Sequence, residues 1–236
     1  MIVGPARFAM ERDMRRRGSA SWQFGHDLDQ SLHLVLYVRD ALGLEVDGDP
    51  INPPRLADPV VDHRQLLDPG PTEAVVSQWS SWWHAVVGLQ APARPGPPSD
   101  QTDRRAWHEE LAARRRPVFD PPTWSCLDDS PPLQDVVRAV WGEGFNWFTS
   151  ARGPHLPPSR HDVFPWEQVR HGAEHAAAEH GVSPDAINGR AQVLIVKGSW
   201  WRLVAPGAAL CSIAAAQDAD SIATILNAVF GSNLAA

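Results

Sequence analysis

The chain is short of several things that would simplify its reading. Among its 236 residues there is one Tyr, there are two Cys, and Lys197 is the only lysine. Cys126 and Cys211 stand far apart and form no C-x-x-C pair, which excludes a disulfide scaffold and the common zinc-ribbon spacings. No apolar run approaches the length of about 18 residues that a spanning helix needs. The glycine-rich phosphate loops G-x-x-x-x-G-K-[ST] and G-x-G-x-x-G are missing, as is the nucleophile elbow G-x-S-x-G; the run at Cys211 reads Ala209-Leu210-Cys211-Ser212-Ile213, where a buried thiol is the expectation. The first residues lack the order of a secretory signal, and Arg15-Arg16-Arg17 is followed by no apolar stretch, so the cytoplasm is the expected compartment.

Acidic residues outnumber basic ones, 28 against 21, for a net charge of −7. Such a surface is ill suited to gripping phosphate backbones, and nucleic acid is not the expected partner. The arginine groups 12–17, 104–105 and 114–116 are interrupted or flanked by acids and read as solvated faces. Abundant Ala, Arg, Gly and Pro with almost no Lys resembles the composition of a high-GC bacterial genome.

What is present in excess is Trp, with 11 residues, and Pro, with 22. The prolines gather between periodic segments, where they act as stiff connectors. Helical spacing runs from Asp27 to Gly43, with Asp27 in capping-box register to Gln30. It returns from about Thr72 to Val87, at 103–116 and from Ser130, and Gly142 and Gly144 loosen the end of that fourth helix. A fifth, opening at Trp166, closes at Gly181. Beyond Asn188 the pattern turns β-like. Val193–Val196 and Trp200–Val204 flank Gly198-Ser199, a two-residue hairpin signal, and Ala209–Ile213 can follow as a third strand after Pro206-Gly207. A last helix is capped by Asp218 or Asp220. The expectation is an α+β fold: a helical body with Pro-rich connectors over residues 1–187, and a β-β-β-α unit over residues 188–236 whose small sheet is antiparallel.

Two constellations bear on function. His171-Gly172-Ala173-Glu174-His175 fits H-x-x-E-H on a helix, where two imidazoles one turn apart can share a zinc ion and Glu174 can act as base toward a bound water. No Glu follows Glu179, and His180 lies roughly 140–180° around the helix from the pair. The third ligand would therefore come from an aspartate or from His155 or His161 upstream. Against this stands the polar-face reading, since Val169, Ala173, Ala176 and Ala177 mark the buried side. Asp29 and His33, also one turn apart, invite the same question; a satisfied buried histidine is the simpler expectation for His33.

The second constellation is aromatic. Trp79, Trp82 and Trp83 share one helix, and Trp200-Trp201 point to opposite faces of a strand, so both cannot enter one core. At least one of these indoles is expected at the surface as an anchor for a protein partner, with Trp200, Trp201 and Trp82 as candidates. The favoured function is a soluble, non-catalytic interaction or accessory protein without a cofactor; the alternative is a zinc-dependent hydrolase built on His171, Glu174 and His175.

Overall fold

A computed structural model describes residues 22–67, 73–90, 100–155 and 163–234. The arginine arm near residues 12–17, the linker at 91–98, and His161 lie outside them. The elements run β1 (Gln23–Asp27), α1 (Gln30–Ala41), α2 (Glu73–Gln90), α3 (Gln101–Arg115), α4 (Pro131–His155), α5 (Trp166–His180), β2 (Asn188–Leu194), β3 (Trp201–Ala205), β4 (Ala208–Ser212), α6 (Ile213–Gln217) and α7 (Ala219–Leu234). The α+β class with a mainly helical body holds. The antiparallel meander does not: the sheet is mixed, in the order β1-β2-β4-β3. β1 and β4 flank β2 in parallel, and only β3 and β4 pair antiparallel.

The physical reason lies in β2. From Gly189 to Leu194 every residue is buried, and a strand covered on both faces suits a central parallel position between helical layers. The chain after β2 does reverse direction around Gly198-Ser199, where Gly198 has φ 71°, but β3 does not pair with β2, because β4 lies between them. Residues 195–200 pass the end of β4 to reach the edge, and the hairpin forms instead at Pro206-Gly207, where Gly207 has φ 72°. Proline first and a positive-φ residue second is what a type II turn requires.

Alternation along β2 divides the core in two. Ala191, Val193 and Ile195 join Phe24, Ala209, Cys211 and the inner faces of α5 and α7. Leu194, Val196 and Leu210 face the opposite way, against α1, α2 and α4. Helices thus cover both faces of a four-stranded sheet. Residues 188–234 hold three of its strands, and the fourth comes from residues 23–27.

β1 was not foreseen, and it shifts the start of α1. Asp29 is the N-cap, its carboxylate accepting from the Ser31 and Leu32 N–H groups at 2.8 and 3.1 Å. Asp27, expected in that role, ends β1 and accepts from the Leu28 N–H. α4 also exceeds its expected length. Gly142 and Gly144 lie inside it, because Gly144 is where α4 meets α1: a Cβ there would stand 2.4 Å from Leu34 Cδ1.

Between α1 and α2 the Pro-rich residues 44–67 form a strap clamped to the body. Arg39, only 2% exposed, donates from Nε to Asp40 (2.7 Å), from Nη1 to Asn52 Oδ1 and Pro53 O (both 2.6 Å), and from Nη2 to Pro54 O (2.9 Å). The planar fork of arginine fits this set of acceptors, where a single ammonium would not. Farther along, Leu56 bridges Val196, and the Ala57 N–H donates to Ile195 O at 3.0 Å.

Candidate interaction surface

The H-x-x-E-H residues of α5 face outward. Arg170 donates to both oxygens of Glu174 (3.1 and 3.2 Å) and to Glu167 (2.7 Å), while His175 pairs with Glu179 at 3.8 Å. Val169, Ala173, Ala176 and Ala177 are the buried side, as the spacing implied. His155, on α4, is 2.9 Å from the Asp58 carboxylate of the strap. Among the described residues, no three His, Cys, Asp or Glu side chains converge so as to hold an ion. The arrangement is that of a helix surface laced by i, i+3 and i, i+4 ion pairs.

His33 is fully buried and both its nitrogens are engaged. Nδ1 lies 2.7 Å from Asp29 O, and Nε2 accepts from the Ile195 N–H at 3.0 Å. A carbonyl can only accept, so Nδ1 carries the proton and the ring is neutral. Burial pushes its pKa down to about 4 against a smaller opposing pull from Asp29. Asp29 is spent on the α1 cap, so the Asp29–His33 pair is a joint of the fold. Cys211 is likewise interior, its thiol pushed up to about 12 by burial.

Beneath the start of α1 runs a polar seam with no advance signal in the sequence. Gln90, at the end of α2, donates to Ser31 Oγ at 3.0 Å, and Ser31 Oγ bonds the Asp29 carboxylate. On β2 the donors of Arg190 assign the orientation of the Gln192 amide: with its oxygen toward Arg190 it accepts from Nε (2.9 Å) and Nη2 (2.8 Å), and its nitrogen then donates to Asp27 O at 3.3 Å. Polar groups on a covered sheet face need such partners; period-2 hydropathy does not disclose them.

The tryptophans divide. Trp79, Trp82 and Trp83 are interior, their indole N–H groups donating to Val35 O, Val118 O and Ile51 O. Trp82 is therefore a core residue, contrary to its expected surface role; this face of α2 is covered by α1, the strap and Phe119. Trp200 and Trp201 do face opposite ways: the first packs on the α1/α2/α4 core and the second on the α5/α7 core. Both are partly buried.

These two flank one sheet edge, one on each face. Among the described residues β3 pairs with β4 alone, which makes it a sheet edge. Leu203 is 38% exposed, one of four exposed large apolar side chains among the described residues. Arg202 sits 5.9 Å from the Trp200 ring centre and donates to Trp201 O at 2.7 Å. The base of the surface is rigid: Ser212 N–H donates to Trp200 O (2.8 Å), Trp200 N–H to Ser212 Oγ (3.1 Å), and the same hydroxyl caps α6 through the Ala215 N–H. At the far end the Gly207 N–H donates to Ser232 Oγ on α7 at 3.0 Å.

No family model matches the chain, and neither curated proteins nor solved structures yield a match. No helix among the described residues is long and apolar enough to cross a membrane. The functional reading therefore rests on the surface itself.

Proposed function

We propose that the chain is a non-catalytic interaction or accessory protein of a bacterial cytoplasm, and that it engages a protein partner through β3 and the residues leading into it. One observation carries the reading. Two partly buried indoles and an exposed leucine stand within four consecutive residues of a sheet edge whose backbone is fixed at both ends. Rigid aromatic side chains on a preorganised backbone lose little entropy on binding, and a partner that covers them gains their apolar area.

The test is site-specific photo-crosslinking in cells of the source type, with a photoreactive residue at position 203 and, as control, at the exposed Leu66 of the strap. A discrete adduct from position 203 and none from 66 is expected. With the partner so identified, Trp200→Ala should weaken its binding by about 2 kcal/mol, near 30-fold, while thermal unfolding still shows a cooperative transition. Adducts that do not distinguish the two positions would defeat the proposal.

A further inference from the structure

We propose that His33 is a pH-sensitive joint: taking up a second ring proton unlatches the end of β2 from the start of α1. The joint does not depend on the docking role of β3.

The geometry sets the direction. Nδ1–H already donates to Asp29 O, so an added proton goes to Nε2. There it meets the Ile195 N–H at 3.0 Å, and an acceptor becomes a second donor aimed at a donor. The backbone N–H loses its partner, and the ring gains a charge in a site with no exposure to water. Its neighbours do not compensate. α4 presents the rings of Phe148 and Trp147, with centres 4.8 and 6.5 Å away. Among the described residues the charge acting on the ring is the Asp29 carboxylate, already bonded to the Ser31 and Leu32 N–H groups and lying within reach of the Arg115 guanidinium. Ile195 is also the point where the strap attaches, its carbonyl accepting from the Ala57 N–H and the next residue bridging Leu56. Losing the His33 bond therefore loosens the end of β2 at the residue where the strap meets it, while the Arg39 and Asp40 bonds keep the strap on the far end of α1.

The folded state holds His33 at about 4, below the ordinary 6.5, so it resists protonation that the opened state accepts. The closed joint is favoured in full above about pH 6.5; opening grows about tenfold per pH unit as pH falls from there toward 4, then levels off.

Amide exchange of the full chain, read residue by residue by NMR and corrected for intrinsic exchange, tests this beside a direct titration of the His33 ring. Expected are a ring midpoint near 4 and flat protection of the Ile195 amide above about pH 6.5. Below that, protection should drop about tenfold per unit, reaching some hundredfold in all. The Ala191 amide, in mid-strand between His26 and Ala209, should not follow. In His33→Gln, which has no titrating ring, the Ile195 profile should be flat; the wild-type measurements stand alone if that variant does not fold. A ring midpoint at or above 6.5, a flat Ile195 profile in the wild type, or Ala191 falling in step with Ile195 would each overturn the proposal, the last by showing global acid unfolding.

Discussion

Two glycines on one turn of α4 give opposite expectations for the same substitution. Glycine inside a helix costs about 1 kcal/mol relative to alanine, so Gly→Ala stabilises wherever the methyl has room. At Gly142 nothing lies within 4 Å of the added Cβ. At Gly144 the Cβ falls 2.4 Å from Leu34 Cδ1 and 3.0 Å from Tyr37 Cδ1. Neither neighbour can swing away, since Leu34 is 4% and Tyr37 1% exposed. Restoring ordinary contact at about 3.5–4 Å requires α1 and α4 to part by about 1 Å, and overpacking of this kind costs about 1–3 kcal/mol before any gain in propensity. Gly142→Ala should therefore stabilise by about 0.5–1 kcal/mol, and Gly144→Ala, net of the propensity gain, should destabilise by up to about 2 kcal/mol. Urea unfolding followed by tryptophan fluorescence resolves this. At an m-value of about 3 kcal/mol/M, a 2 kcal/mol gap between the variants is about 0.7 M in midpoint. Equal stabilisation by both would refute the close packing of α1 on α4.

The same logic at Gly189 puts a Cβ 2.3 Å from Val229 Cγ1. Gly189→Ala should cost about 1–3 kcal/mol, and adding Val229→Ala should recover part of it, as a double-mutant cycle in denaturant would show through a coupling above about 0.5 kcal/mol. Arg39→Met keeps the volume but strands the Pro53 and Pro54 carbonyls and leaves Asp40 with Arg55 and the Leu56 N–H. A loss of about 3 kcal/mol and earlier proteolytic cleavage within 44–67 are expected; an unchanged urea midpoint would show that the strap does not depend on the clamp.

The sequence by itself determined those elements whose cause is local. The 3.6-residue period of Val75, Trp79, Trp82 and Val86 suffices for α2, and Gly181, at φ 63°, ends α5 at the residue the sequence marks as its close. The buried side of α5 was legible too, and with it the outward position of His171, Glu174 and His175. So was the opposition of Trp200 and Trp201, because successive side chains of an extended chain alternate. Only tertiary structure decided what those elements meet. Gln23–Asp27 becomes a strand because β2, over 160 residues later, offers it a parallel edge, and this moves the α1 cap from Asp27 to Asp29. The Gly198-Ser199 pair could make a hairpin locally, yet β4 takes the place beside β2 that β3 would have held. Trp82 has the spacing of a surface anchor as much as of a core residue; the fold of the strap and Phe119 over α2 settles it. Arg39 and His33 look like polar interruptions of an apolar stripe, and they gain their roles only from acceptors and donors on segments brought in from elsewhere. Local propensity and period are written within a few residues, whereas strand order, burial of a polar side chain and the partner of each hydrogen bond depend on contacts between distant segments.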